Sequence, residues 1–237
     1  MRLTGVGVGP GDPGLVTMAA FEEIRSAMVV FAPSLAAAAV GRAETVVAKL
    51  VPSITCHRVV FPMGRGRPGV EARRAAAAEA AEQMAGVMIE GGRYAFVTLG
   101  DPTLYSTFSL VAEYAKLRLP KLEIAVIPGV MAFQRLLALS TANFLDNDEP
   151  LHLVLGIGSD QELERAIGDR NAGVVIYKVG SALPRIKELA REFGRSADAV
   201  AGWLLGTEEE TVMPLPLVPD EVPYLATVAI RPTREPD

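Results

Sequence analysis

Short apolar runs rich in β-branched residues alternate with longer helical patterns along most of the 237 residues, and no other feature restricts the fold as much. Strands are expected near Leu3–Val8, Met28–Phe31, Thr45–Lys49, Tyr94–Leu99 and Glu123–Ile127. Helices are expected near Thr17–Ala27, Val70–Glu90, Thr107–Arg118 and Met131–Leu139. Thr17 suits an N-cap, and the alanine-rich stretch from Val70 has high helix propensity throughout. Continuous apolar strands separated by helices make a mostly parallel sheet covered on both faces, so the fold class is α/β.

The pattern stops at the acidic, proline-terminated segment Asp146–Pro150 and then restarts. Strands follow at Leu151–Leu155, Val174–Tyr177, Val200–Leu204 and near Tyr224–Ile230, with helices after Asp160 and near Leu183–Phe193. Prolines 214, 216, 219 and 223 suit edge strands and turns, and strands joined by short turns make this sheet mixed. Two α/β domains are therefore expected, residues 1–147 and 148–237.

Composition narrows the function classes. A chain that is 50% hydrophobic can give each domain its own core. The net charge of -5 and the lack of a continuous basic stripe argue against a nucleic-acid partner. The lone Cys56 has no intramolecular disulfide partner, which makes a reducing cytoplasm the simplest setting. No apolar run approaches the roughly 20 residues of a membrane span, and a strand pattern starts right after Met1 and Arg2, so neither a membrane partner nor a signal peptide is expected. His57 and His152 are not spaced as ligands, and with no Cys/His cluster the expected metal set is none.

The first strand runs into Gly5-Val6-Gly7-Val8-Gly9-Pro10-Gly11-Asp12-Pro13-Gly14. Glycine permits positive φ and close approach of a ligand to the backbone. A G-x-G-x-x-G fingerprint fails here, because Pro10 or Asp12 stands where the third glycine belongs. Pro10 and Pro13 also remove two amides that a phosphate cradle would use. A P-loop sequence is absent. A tight strand-to-helix turn without a ligand is the plain alternative.

After the strand near Tyr94 stands Leu99-Gly100-Asp101-Pro102-Thr103-Leu104-Tyr105-Ser106-Thr107-Phe108, and after the next strand Ile127-Pro128-Gly129-Val130-Met131. Ligands of open α/β sheets bind outside the carboxyl ends of strands. The three loops, in this order and spacing, resemble the tetrapyrrole methyltransferases, also called class III methyltransferases. The likeness extends over Gly5–Thr17, Gly100–Phe108, Pro128–Phe133, Val174–Lys178 and Trp203–Glu210. Gly-Asp-Pro-Thr-Leu-Tyr-Ser-Thr-Phe and Phe61-Pro62-Met63 are similar to the branch that methylates C20.

The resemblance implies two α/β domains with S-adenosylmethionine folded between them, S-adenosylhomocysteine as product, and a homodimer. By position it implies Pro10, Gly100, Asp101, Thr103, Leu104, Met131, Ala132, Tyr177, Leu205 and Gly206 as cofactor residues. Most would act through backbone groups and shape. One departure is that Met131-Ala132-Phe133-Gln134 stands where the family carries small hydroxylated residues. Met131 could equally serve as packing.

The implied reaction is C-methylation of a tetrapyrrole of cobalamin biosynthesis, at C20 of precorrin-2 or its cobalt form. Other ring positions, a diphthamide precursor, ribosomal RNA and a non-catalytic nucleotide-binding module are the alternatives. A sulfonium methyl donor is already activated, so alignment and exclusion of water are the main requirements. Asp101 is the candidate proton acceptor, or else a turn-forming residue before Pro102. Tyr105 could bond a substrate carboxylate, or pack beneath the helix. The macrocycle carries many carboxylates, and Arg65, Arg67, Arg73 and Arg74 concentrate positive charge beside glycines, suited to bidentate recognition. A solvated charge cluster is the plainer reading of the same residues. Glu208–Glu210 reads as a solvated loop.

Overall fold

The computed structural model describes residues 1–61, 69–140 and 143–234. The chain divides into two compact units, Met1–Met131 and Ala132–Asp237. This division precedes the expected break at 147/148. The helix Ala132–Ser140 contributes Leu136 to a core with Phe144, Val175, Leu205 and Ala229, all of the second unit.

In the first unit, β1 (Arg2–Gly7), β2 (Val29–Ser34), β3 (His57–Val60), β4 (Arg93–Thr98) and β5 (Glu123–Ile127) form one sheet in the order β3-β2-β4-β1-β5. Every pairing is parallel, so all five carboxyl ends leave at one end of the sheet. Alternation along β4 sends Tyr94 and Phe96 to one face and Ala95 and Val97 to the other. The first face is covered by α3 (Val70–Ala85) and α4 (Phe108–Arg118), and the second by α1 (Met18–Ser26) and α2 (Arg42–Leu50). Alanines 77, 80 and 81 of α3 and 112 and 115 of α4 are buried, and their small size suits close helix packing. Thr17 caps α1 by accepting the Ala20 amide at 3.1 Å.

One expected strand is corrected. Thr45–Lys49 lies inside α2, whose buried residues Ala43, Val46 and Val47 recur at helical spacing. The β-branched run Thr-Val-Val is a weak strand preference that packing against the sheet overrides. The edge strand β3, opening on the exposed His57, takes the place in the sheet.

The second unit pairs β6 (Leu151–Leu155), β7 (Gly173–Tyr177), β10 (Thr227–Ile230), β8 (Ala199–Trp203) and β9 (Thr211–Pro214) in that order. Only the β6–β7 pairing is parallel, so the sheet is mixed, and Pro214 lies on the edge strand β9. α6 (Asp160–Gly168) and α7 (Leu183–Glu192) cover one face, and α5 (Ala132–Ser140) the other. Arg195 is wholly buried and donates to the carbonyls of Ile167, Asp169, Ala172 and Arg231 at 2.6 to 2.9 Å.

Candidate active site

The loops after β1, β4 and β5 are locked together at the carboxyl end of the parallel sheet. The Gly100 amide donates to the Gly9 carbonyl at 2.8 Å, and both glycines have positive φ, +66° and +73°. A Cβ on Gly7 would stand 2.5 Å from the Gly100 carbonyl oxygen and 2.6 Å from the Gly129 nitrogen. Only hydrogen at this position lets the three backbones cross. Gly5 has a different reason to lack a side chain, since a Cβ there would enter the Phe108 ring.

Asp101 ties the second loop to the third. It is 8% exposed; one oxygen accepts the Thr103 amide at 2.8 Å and the Thr103 hydroxyl, and the other accepts the Gly129 amide at 3.0 Å. Burial raises its pKa, but these hydrogen bonds outweigh it and hold the carboxyl below the ordinary value. Of the two roles open to it, this geometry is that of a turn-forming residue extended into a latch. Asp12 caps the turn at Pro13–Leu15 by accepting the Gly14 amide at 2.8 Å.

Gly100 itself faces clear space. A Cβ there would meet nothing within 4 Å except the Met131 Cα at 3.9 Å. Beyond it, Leu104 and Tyr105 are exposed, at 45% and 41%. Tyr105 has φ +54°, a conformation costly for a side-chain-bearing residue and one that marks functional loops when it persists. Pro10 is buried, and its carbonyl accepts Nη2 of Arg42 at 3.4 Å.

In the second unit the strands β6, β7 and β8 run in one direction, and strain again gathers after their ends. Lys178 follows β7 with φ +55°, and Leu204 follows β8 with φ +52°. The Tyr177 hydroxyl accepts the Phe133 amide at 3.3 Å, and the two rings meet edge-on with centroids 6.4 Å apart. Ala132 begins α5, and Leu205 is buried in the core that α5 covers, so only its backbone is available. Gly206 has φ +78° and donates its amide to Glu210 at 2.6 Å.

Glu210 is not the solvated residue expected of it. Its carboxylate receives Nε and Nη2 of Arg135, each at 2.9 Å, and these bonds with the Gly206 amide lower its pKa despite burial. Arg73 and Arg74 are exposed on the first turns of α3, whereas Arg65 and Arg67 lie outside the described residues. Sequence reasoning gave no role to Arg42, read Glu210 as solvated and held Arg135 only as a reserve for the substrate's carboxylates, because the partners of these residues are distant in the chain. Among the described residues no helix is long and apolar enough to cross a membrane.

Comparison with known proteins follows the same line. Residues 2–218 match the tetrapyrrole (corrin/porphyrin) methylases. The precorrin-2 C(20)-methyltransferase of Sinorhizobium sp is 29% identical over 97% of this chain and 94% of its own. The cobalt-precorrin-2 C(20)-methyltransferase of Salmonella typhimurium is 27% identical over 81% and 79%. A uroporphyrin-III C-methyl transferase of Thermus thermophilus, solved with S-adenosyl homocysteine, superposes with a TM-score of 0.63 at 19% identity, covering 97% of each chain.

Proposed function

Because the chain belongs to the family of tetrapyrrole (corrin/porphyrin) methylases, we propose that it transfers a methyl group from S-adenosylmethionine to C20 of precorrin-2 or its cobalt form. The observation that carries this reading is the trio of loops locked through Gly7, Gly100 and Gly129, with clear space beside Gly100. That space, which a side chain would enter, fits a cofactor held against backbone. The residues that would hold it are Pro10, Gly100, Asp101, Thr103, Leu104 and Met131, and in the second unit Ala132, Tyr177, Leu205 and Gly206.

The bound cofactor supplies a methyl group already activated on a sulfonium. The chain's own work is then to fix geometry and exclude water. Asp101 serves as a positioning residue, holding the loop of Gly100 and Thr103 against that of Gly129. A carboxylate engaged on both oxygens and ionised below its ordinary range is a weak acceptor for the displaced proton. Tyr105, exposed and held at positive φ, is the side chain offered to the substrate. Arg65, Arg67, Arg73 and Arg74 form the basic rim for its carboxylates. The working form in this reading is a cytoplasmic homodimer, which light scattering would check.

The deciding experiment is incubation with methyl-labelled cofactor and either precorrin-2 or its cobalt form, followed by location of the label. Label at C20 is the expected result. Label at another ring position, or transfer to neither macrocycle, would overturn the assignment.

A further inference from the structure

We propose that Arg42, at the start of α2, binds a carboxylate of the macrocycle and so positions the substrate; this rests on the function proposed above. The guanidinium is partly buried and carries five N–H donors. Among the described residues its one hydrogen bond is to the Pro10 carbonyl at 3.4 Å, longer than an ordinary N–H···O bond. Among the described residues, no carboxylate lies within ion-pair distance of it.

The acid nearest in sequence is already taken. Glu44, two residues along α2, receives Nε and Nη2 of Arg58 at 2.8 and 2.9 Å, and Arg58 also donates to the Ala37 carbonyl at 3.1 Å. Arg2 and Arg93 likewise share Glu23. Arg42 is thus a partly dehydrated cation with no counter-charge among the described residues, an arrangement that costs free energy until an anion arrives. Burial lowers its pKa, in keeping with that lack of compensation.

Sheet order says which anion. The loops proposed for the cofactor follow β1, β4 and β5, neighbours at one side of the sheet. Arg42 follows β2 on the other side, and α3, whose first turns carry the exposed Arg73 and Arg74, follows β3, next to β2. Arg42 reaches back to the first loop at Pro10, so it stands where the cofactor loops give way to the arginine side. A polycarboxylate lying beside the cofactor would meet Arg42 from that direction. The guanidinium fork matches a carboxylate in two-point contact.

The test uses the full chain with uroporphyrin III as a stable octacarboxylate macrocycle and S-adenosylhomocysteine as the cofactor probe. Arg42→Gln is expected to weaken macrocycle binding about tenfold or more, the scale of a lost charged hydrogen bond, while cofactor affinity and melting temperature hold. With precorrin-2, KM should rise and kcat change little. Arg42→Lys, which keeps the charge, should recover part of the loss, and it serves as the comparison if the glutamine variant does not fold. Equal macrocycle affinity in wild type and both variants overturns the role of Arg42 alone. Loss of S-adenosylhomocysteine affinity with macrocycle binding unchanged assigns Arg42 to the cofactor and also overturns it. Failure of the wild type to bind any macrocycle overturns the proposed function itself, and this inference with it.

Discussion

The Asp101 carboxylate accepts the Gly129 amide at 3.0 Å while its other oxygen accepts the Thr103 amide at 2.8 Å, so one side chain joins two strand-end loops. An asparagine has one acceptor oxygen, and its NH2 would face a backbone N–H, donor against donor. Asp101→Asn should therefore lower stability by about 1–3 kcal/mol and weaken S-adenosylhomocysteine binding. Turnover per folded, cofactor-saturated molecule should fall less than about tenfold. A loss of about 10²-fold with fold and binding intact would instead make Asp101 the proton acceptor.

Two glycines of this cluster should respond differently to alanine. A methyl on Gly129 meets the Gly100 carbonyl oxygen and, at 2.8 Å, the Gly7 Cα, all backbone that can yield only by moving the loops. Gly129→Ala should reduce stability by about 1–3 kcal/mol. A methyl on Gly100 meets open space but must adopt φ +66°, costing about 1–2 kcal/mol. Its distinguishing effect should be weaker binding of S-adenosylhomocysteine, read by calorimetry. Unchanged affinity would remove Gly100 from the cofactor site.

Acid should destabilise the first unit partly through Glu23. Burial raises this carboxyl's pKa, but hydrogen bonds from Thr4, Arg2 and Arg93 outweigh it and leave the pKa below 4.5. A depressed folded-state pKa gives stabilisation that is complete above the unfolded value and disappears as pH falls through the folded one. Thermal melts taken from neutral pH downward should show this loss beginning below about 4.5. Glu23→Gln should be less stable at neutral pH and show a flatter acid limb. Parallel curves for the two proteins would exclude Glu23 as a source of the acid sensitivity.

Arg195 should be among the costliest single residues to remove. Arg195→Met leaves the carbonyls of Ile167, Asp169, Ala172 and Arg231 without this buried donor. A loss of about 3 kcal/mol or more is expected in chemical denaturation, since a single buried polar group left unsatisfied costs about 1–3 kcal/mol. A loss under about 1 kcal/mol would mean that water replaces the guanidinium.

The basic rim predicts a salt effect. If Arg65 and Arg67 meet substrate carboxylates, replacing both with alanine should weaken macrocycle binding and leave cofactor affinity alone. Exposed pairs are screened within about 10 Å at 0.1 M salt, so wild-type affinity should fall with ionic strength and the double variant should show a shallower slope. Identical affinity at every ionic strength would reduce these arginines to a solvated cluster.

Layer order and sheet types were readable from the sequence because apolar periodicity carries them, down to Pro214 on an edge strand. Thr45–Lys49 misled because three β-branched or apolar neighbours in a row look extended, while burial at 43, 46 and 47 is what places them on a helix. The glycine loops were visible as motifs, but not the reason for each glycine. Gly7 is required by two other backbones and Gly5 by the Phe108 ring, contacts between residues far apart in sequence. Arg195 and Arg42 gave no local signal, and Glu210, in a run of three acids, gave a misleading one. Their surroundings come from chain segments that only folding brings together.

The crossing of Gly7 with Gly129 has a consequence for biosynthesis. β1 lies between β4 and β5, so the unit's first strand acquires its second neighbour only when the unit's last strand has emerged from the ribosome. Until then Gly7 and Gly129 cannot meet, and the Asp101 latch has no Gly129 amide to accept. Pairing so distant in sequence is slow, because the entropy of closing the loop is lost before the contact forms. A nascent chain stalled before Gly129 would carry helices and most of a sheet, yet lack the completed loop cluster. A cofactor that binds at this cluster, as proposed, would stabilise only a unit that has already closed, and would not assist the early steps of synthesis.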